Sequence, residues 1–293
     1  MICLLLLCLA IRLWIIFPYT AIASKSVKSA KYQENGVSVK IMAANVLMPN
    51  KNFEALIRII KEENPDLIFL LETNTLWKEN IDKAISAEYP YSVLHPLENT
   101  YGLLLYSRLK LRDTKIHFRI ENDVPSIESI IELGNDRSIK FFGLHPKPPS
   151  PSENKSSLER DAELIQVGKE VRNSECPVLV AGDLNDVAWS HTTRLFLRLS
   201  GLKDPRKGRG FFNTFNANYP LIRWPLDHFF LSSEFQITQL KRLKHFGSDH
   251  FPILAEIYLP DFSEGSKKSI TSKKLDSDDQ AEAKDKLRRA IDQ

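Results

Sequence analysis

The feature that most constrains this chain is an apolar run, Leu67–Leu71, that stops abruptly at Glu72. Such a run, with no polar alternation, reads as a strand covered on both faces. The sheet that contains it therefore needs a packed layer on each side. The flanking sequence can supply those layers. Val37, Val39, Ile41 and Ala43 alternate with other residues, as a half-buried strand does. Phe53, Leu56, Ile57 and Ile60 share one helical face, and Asn64-Pro65 stops that helix. Further strand signals lie at 103–107, 127–133, 139–144, 178–181, 226–231 and 252–259. Ser156 and Glu159 form a capping-box pattern ahead of a helical stripe of Leu158, Ala162, Ile165 and Val171. Many strands with few helices predict an α+β fold. Two sheets pack face to face with helices outside, rather than one alternating parallel sheet.

The 293 residues are 43% hydrophobic and 26% charged, enough for a sizeable core. The compact body is expected over residues 37–262, behind a polar linker at 24–36. Residues 263–293 shift to Ser, Lys, Asp and Glu and predict a disordered tail, with a marginal charged helix at 281–291. No internal repeat stands out. Lys plus Arg is 40 against 37 for Asp plus Glu, a net charge of +3. That is mild for a nonspecific nucleic-acid binder held mainly by phosphate contacts. Cys3 and Cys8 lie in the apolar N-terminus and leave Cys176 alone in the body. Neither a disulfide framework nor a Cys-rich zinc site can be built from that set.

Several strand signals run straight into a residue that can do chemistry. These residues are Asn45, Glu72, His145, Asp183 with Asn185, Asp227, and the group Ser248, Asp249 and His250. Singly, each has a bland reading as a turn former, a loop acid or a helix cap. Together they weaken it. A carboxylate that follows an apolar strand sits at the rim of a buried sheet, where desolvation is costly without a cation or hydrogen-bond partner. Repetition across strands suggests one shared polar centre. Oxygen ligands from Glu, Asp and Asn suit a hard cation such as Mg²⁺ or Mn²⁺. Histidines beside it can bind phosphate oxygens or move protons. A phosphate loop ending in Lys-Ser or Lys-Thr, a Gly-x-Ser-x-Gly elbow and a His-Glu-x-x-His helix are all missing from the sequence.

The pattern resembles the endonuclease/exonuclease/phosphatase superfamily. The matching stretches are Ala43-Ala44-Asn45-Val46-Leu47, Leu70-Leu71-Glu72-Thr73, Gly143-Leu144-His145-Pro146, Gly182-Asp183-Leu184-Asn185, Leu226-Asp227-His228 and Ser248-Asp249-His250-Phe251-Pro252. They occur in the family's order and span nearly the whole body. The likeness is nearest to bacterial membrane-linked members, in which an apolar segment ending in Pro-Tyr, here Pro18-Tyr19, precedes the domain. The resemblance implies a four-layer sandwich, two mixed β-sheets flanked by helices. It implies metal ligation by Glu72 with Asn45 and Asp249. It implies that Asp183 orients or deprotonates the attacking water while Asn185 holds that water or a phosphate oxygen. His145 and His250 would bind phosphoryl oxygens, with Asp227 setting the orientation of His250.

Residues 1–23 are almost wholly apolar, with Arg12 the one charge. A membrane anchor and a signal cleaved after Ala21-Ile22-Ala23 both fit. Arg12 at mid-depth costs about 2.5–3.5 kcal/mol on insertion scales; the missing positive start counts against the signal. An anchor is the expectation. The positive-inside rule applied to Lys25, Lys28 and Lys31 alone would keep that flank cytoplasmic. An anchored or exported protein with its catalytic domain outside the cytoplasm is nonetheless expected. The Pro- and Ser-rich loop 146–157 could overhang the site or be a plain connection. The basic loop of Lys203, Arg206, Lys207 and Arg209 could grip an acidic substrate or be a solvated face. Arg160 is expected to pair with surface acids, and Trp189 and Trp224 to pack. His95, His117, His191, His228 and His245 are given no catalytic role.

The leading expectation is a metal-dependent hydrolase of phosphate esters, of the phosphodiesterase or nuclease type, and a monomer by default. A phospholipid or phosphoinositide phosphoesterase is the alternative within that chemistry. An inactive, membrane-tethered interaction protein is the alternative outside it; the filled set of polar positions argues against it.

Overall fold

The computed structural model describes residues 2–30, 36–149, 156–261 and 275–292. The chain opens with helix α1 (Ile2–Ile16) and a single 3-10 turn at Phe17–Tyr19. Two mixed sheets follow. The first has seven strands in the order β1 (Lys28–Ser29), β11 (Gln236–Arg242), β12 (Ile253–Leu259), β2 (Val37–Asn45), β3 (Leu67–Leu71), β5 (Leu103–Ser107) and β4 (Tyr91–His95). The second has five: β10 (Asp227–Leu231), β9 (Val178–Asp183), β8 (Arg137–Leu144), β7 (Ser126–Gly134) and β6 (Leu111–His117). The neighbours β2 and β3 run parallel, as do β8 and β9, so the expected mixed character holds in both sheets.

The period-two pleat explains why β3 is apolar throughout. Leu67, Phe69 and Leu71 face the second sheet and meet Ile127, Phe141, Leu179 and Phe229. Ile68 and Leu70 face the other way, onto α2 (Phe53–Glu63) and α3 (Thr75–Ile85). The second sheet turns Phe142, Val180 and Phe230 outward onto α4 (Leu158–Arg172) and α5 (His191–Ser200). The result is the expected four-layer sandwich. Burying each large apolar side chain contributes about 1.5–3 kcal/mol, so the inter-sheet layer is the main source of stability.

Two expected boundaries move. The linker read at 24–36 is, as far as Ala30, part of the body. Val27 is buried, Lys28 and Ser29 pair in parallel with Gln236 and Ile237, and the Ala30 N–H donates to the Ile237 carbonyl at 2.9 Å. The open edge of β11 supplies this pairing, and a polar segment can take it because backbone groups make the bonds. Residues 31–35 lie outside the described residues. The tail, expected to be disordered over 263–293, carries helix α6 (Ser277–Ile291). Its Ala283 packs on Ile165, Leu195 and Leu199. Lys286 pairs with Asp161 and Arg198 with Asp279, each at 2.8 Å. The tail's own composition hides this, because the apolar surface that holds α6 belongs to α4 and α5.

Phe69 lies between the sheets with its ring 5.5 Å from that of Phe141, edge to face. Phe69→Ala is expected to cost about 3–5 kcal/mol, read from the urea midpoint, while the exposed Leu76→Ala costs below about 1 kcal/mol. Equal losses would contradict this layer assignment.

Candidate active site

The face-to-face packing brings one end of five strands together. Asn45 ends β2, Glu72 follows β3, His145 follows β8, Asp183 ends β9 and Asp227 opens β10. Asp227 pairs directly with Asp183 in the antiparallel ladder. Asp249 and His250 lie just before β12. Gly182 permits the closest approach: it has φ 146°, and a Cβ there would sit 1.9 Å from the Leu144 carbonyl oxygen. Glu72 and Asn185 leave their strands in the left-handed region, at φ 57° and 50°. Backbone held there costs free energy and recurs at functional sites.

Asn45 joins the two sheets. Its amide donates to Glu72 Oε1 at 2.7 Å and to Asp183 Oδ2 at 3.1 Å. Its carbonyl oxygen accepts from the Leu47 N–H at 3.0 Å. His250 lies between two carboxylates. Nδ1–H donates to Asp227 Oδ2 at 2.8 Å, and Nε2 stands 3.5 Å from Asp183 Oδ2. The Ser248 hydroxyl donates to the Asn45 carbonyl at 2.8 Å and accepts from the His250 N–H at 3.0 Å. Asp183 Oδ1 accepts from the Asn185 N–H at 2.9 Å, and the Asn185 amide donates to the Pro146 carbonyl at 2.9 Å. His145 Nε2 stands 4.0 Å from Glu72 Oε1. All nine residues singled out in the sequence thus belong to one rim, with Asp249 close enough to act on Glu72 by its charge.

The electrostatics follow from burial. Desolvation pulls the His250 imidazolium down, but the Asp227 and Asp183 carboxylates outweigh it and hold it up to about 10. Desolvation raises the Asp183 carboxyl, opposed by His250 and reinforced by Asp227. Burial and the charge on His250 lower His145 to about 3, so it is neutral near pH 7 and makes no ion pair with Glu72. Burial raises Glu72, and Asp249 adds to that against the Asn45 hydrogen bond. A cation beside Glu72 and Asp249 would reverse both effects, and their oxygen donors suit a hard ion.

Among the described residues, Asp183, Asp227 and His250 each offer a ligand atom within 4.8 Å of the others. The two carboxylates address opposite nitrogens of one imidazole, Asp227 by a hydrogen bond and Asp183 at ion-pair distance, a relay arrangement. Asp227 Oδ1 and His145 Nδ1 are buried with no hydrogen-bond partner among the described residues, whereas buried polar groups are ordinarily paired.

Other expectations are revised. Arg160 is buried: it donates to the Asn185 carbonyl at 2.7 Å and to Asp161 Oδ1 at 2.9 Å, and so braces the loop after Asp183. Three of the four basic-loop side chains are engaged within the fold. Arg206 is buried against Asp204 at 2.8 Å, Lys207 lies over the Tyr19 ring, and Arg209 donates to the Val27 carbonyl. His228 closes that cluster; its Nε2–H donates to the Asp186 carbonyl at 2.9 Å, and burial beside Arg206 keeps it neutral. Trp189 packs between Tyr19, Phe211 and Trp224. Of the loop 146–157, residues 150–155 lie outside the described residues. Sequence reading missed Tyr101, whose ring centroid is 5.3 Å from that of His145, and Phe215, 4.9 Å from that of His250. No strand-end acid pattern marks either position.

The sequence matches the model of the Endonuclease/Exonuclease/phosphatase family over residues 42–250, most of the chain and every rim residue. The chain belongs to that family. Membership makes it a phosphoesterase- or nuclease-type hydrolase in the broad sense that the family describes. Solved structures of the family fold align across the body. TDP2 from D. rerio, complexed with single strand DNA product, gives TM-score 0.64 at 17% identity, covering 75% of this chain and 98% of that one. A family protein from Bacteroides thetaiotaomicron gives 0.59 at 16%, covering 77% and 99%. The beta toxin of Staphylococcus aureus gives 0.54 at 19%, covering 74% and 99%. At these identities the likeness shows the fold. No curated protein sequence is a significant match.

In metal-free protein, charged His250 contributes stability that is complete below its ordinary value of 6.5 and fades as pH rises through about 10. Asp227→Asn removes a supporting carboxylate. The imidazole midpoint followed by NMR, and the alkaline loss of stability, should both move to lower pH. An unmoved midpoint would contradict the pairing.

Proposed function

We propose that this chain is a divalent-metal-dependent phosphodiesterase whose first substrate class is nucleic acid. The observation that carries the reading is the relay Asp183–His250–Asp227, tied through Asn45 to the Glu72 carboxylate. Glu72 and Asp249 would hold the ion. Asn45 joins them only if its amide turns over, because its carbonyl oxygen is engaged by Leu47. When bound, Mg²⁺ or Mn²⁺ supplies polarisation of the phosphoryl group and charge stabilisation for the leaving oxygen.

The chain's own groups do the rest. Asp183, raised by burial, takes a proton from the attacking water. Asn185, fixed by Pro146 and by the Arg160 brace, holds that water in line. His250 offers Nε2–H as a charged donor to a phosphoryl oxygen, with Asp227 fixing its ring. Neutral His145 offers a second donor from the opposite sheet. Nucleic acid ranks first because the D. rerio TDP2 structure of the same fold holds a single strand DNA product. Phospholipid headgroups rank second, on one feature: Ile2–Tyr19 is long and apolar enough to cross a membrane, with mean hydropathy 2.3. We read that segment as an anchor.

The test is a panel of single- and double-stranded DNA, RNA, sphingomyelin, phosphoinositides and a generic diester. At least one member should be hydrolysed, with loss in EDTA and recovery in Mg²⁺ or Mn²⁺. Glu72→Ala should abolish turnover with unchanged circular dichroism, and Asp183→Asn should lower kcat by about 10²–10⁴-fold. Metal-independent turnover, or full activity in Glu72→Ala, would remove Glu72 from its role.

A further inference from the structure

The loop between Phe215 and Trp224 has a use that the hydrolytic reading does not supply. Its tip carries Tyr219, Pro220, Leu221 and Ile222. Leu221 is 95% exposed, more than any other large apolar side chain among the described residues, and Ile222 and Tyr219 are 64% and 61% exposed. A contiguous apolar tip of this kind marks an interaction surface. The loop is held firmly at its base. Phe215 and Trp224 exchange backbone hydrogen bonds, and the Ala217 N–H donates to the Asp249 carbonyl at 2.6 Å. Phe215 packs on His250, so the base of this loop is also a wall of the active site.

The same base leads to the apolar helix. Trp224 lies 6.4 Å from Trp189, and Trp189 lies 5.8 Å from Tyr19, measured between ring centroids. Tyr19 is buried, its hydroxyl donating to the Ala188 carbonyl at 2.5 Å, and the Pro18 carbonyl accepts from the Gly208 N–H at 2.8 Å. This seat lies in the turn Phe17–Tyr19, which directly follows α1, whose residues are almost all exposed. The body is therefore fastened at the point where the apolar helix leaves it. Leu221 is three residues from Trp224, within about 10 Å along an extended chain.

We propose that residues 219–224 form a lipid-contacting element that dips into the surface of the bilayer entered by α1 and holds the active-site mouth against that surface. The composition favours lipid over nucleic acid. Arg223 is the one charged side chain of the loop, and it is turned inward. Its Nε–H donates to the Tyr219 carbonyl at 2.8 Å, an Nη2–H donates to the Ala217 carbonyl, and its guanidinium lies over the Phe251 ring. The loop thus presents aliphatic tips with Tyr219 and Trp224 beside them. That is the pattern of an interfacial segment: rings at headgroup depth and apolar groups just below. The element rests on the anchor reading of α1 and needs no assumption about the ester cleaved.

The test uses the full chain reconstituted in phosphatidylcholine–phosphatidylglycerol vesicles, with the native cysteines replaced by alanine and a polarity-sensitive fluorophore on Leu221→Cys. A second protein carries the label on Asn135→Cys, in the exposed β7–β8 turn at the opposite end of the strands. The Leu221 label should be quenched by lipids spin-labelled near the headgroup, and its iodide quenching should fall at least about threefold relative to the Asn135 label. Equal iodide access at both sites, with no lipid quenching, overturns the proposal. So does a shift at Leu221 that appears only on adding single-stranded DNA. The readout involves no turnover, so an inactive enzyme with a lipid-quenched loop would sink the phosphodiesterase reading and leave this one standing.

Discussion

A single side-chain amide organises the centre of this molecule. Asn45 ends a strand of one sheet, donates to Glu72 on the same sheet, and reaches across to Asp183 on the other. That junction forms because the sheets pack face to face, so that the interior is apolar until the strands end. Where they end, the carboxylates of Glu72, Asp183 and Asp227 share a poorly solvated pocket with one charged imidazole. Packing forces these like charges together; His250 and a bound cation are the two groups able to compensate them.

The sandwich was legible because its interior strands announce themselves. Leu67–Leu71 reads as a doubly covered strand of the first sheet, and the run at 139–144 does the same for the second. Two outer strands were not legible. In β6, at one sheet edge, and in β11, covered on its outer side only by the two-residue β1, most side chains are at least partly exposed and polar residues interrupt the pattern, so backbone pairing rather than composition makes them strands. The rim acids and histidines were legible for the converse reason, since a charged residue directly after a buried strand needs a partner. Tyr101 and Phe215 carried no such signal, because an aromatic against a rim histidine looks like any other core aromatic.

Buried cations were the commonest misreading. Arg160, Arg206 and Arg209 resemble a solvated basic face in sequence, yet each spends its donors on carbonyls or a carboxylate inside the fold. A guanidinium can satisfy several backbone carbonyls at once, which suits it to fastening loops that have no ladder of their own. Arg160 fastens the loop after Asp183. Arg209 fastens the segment that follows α1 through the Val27 carbonyl, and Arg206 ties its own loop to the Asp227 carbonyl and to His228. Helix α6 adds a further tie through Lys286 to Asp161, the neighbour of Arg160. The rim is therefore braced by groups from α4 and α6.

The central claim is that the cation belongs to Glu72 and Asp249, while Asp183, His250 and Asp227 form a relay and not a chelate. Mn²⁺ binding followed by electron paramagnetic resonance tests it most directly, in the wild type, Glu72→Ala and Asp227→Asn. Saturable binding that is lost in Glu72→Ala and retained in Asp227→Asn is the predicted result. Retention in Glu72→Ala with loss in Asp227→Asn would contradict the account.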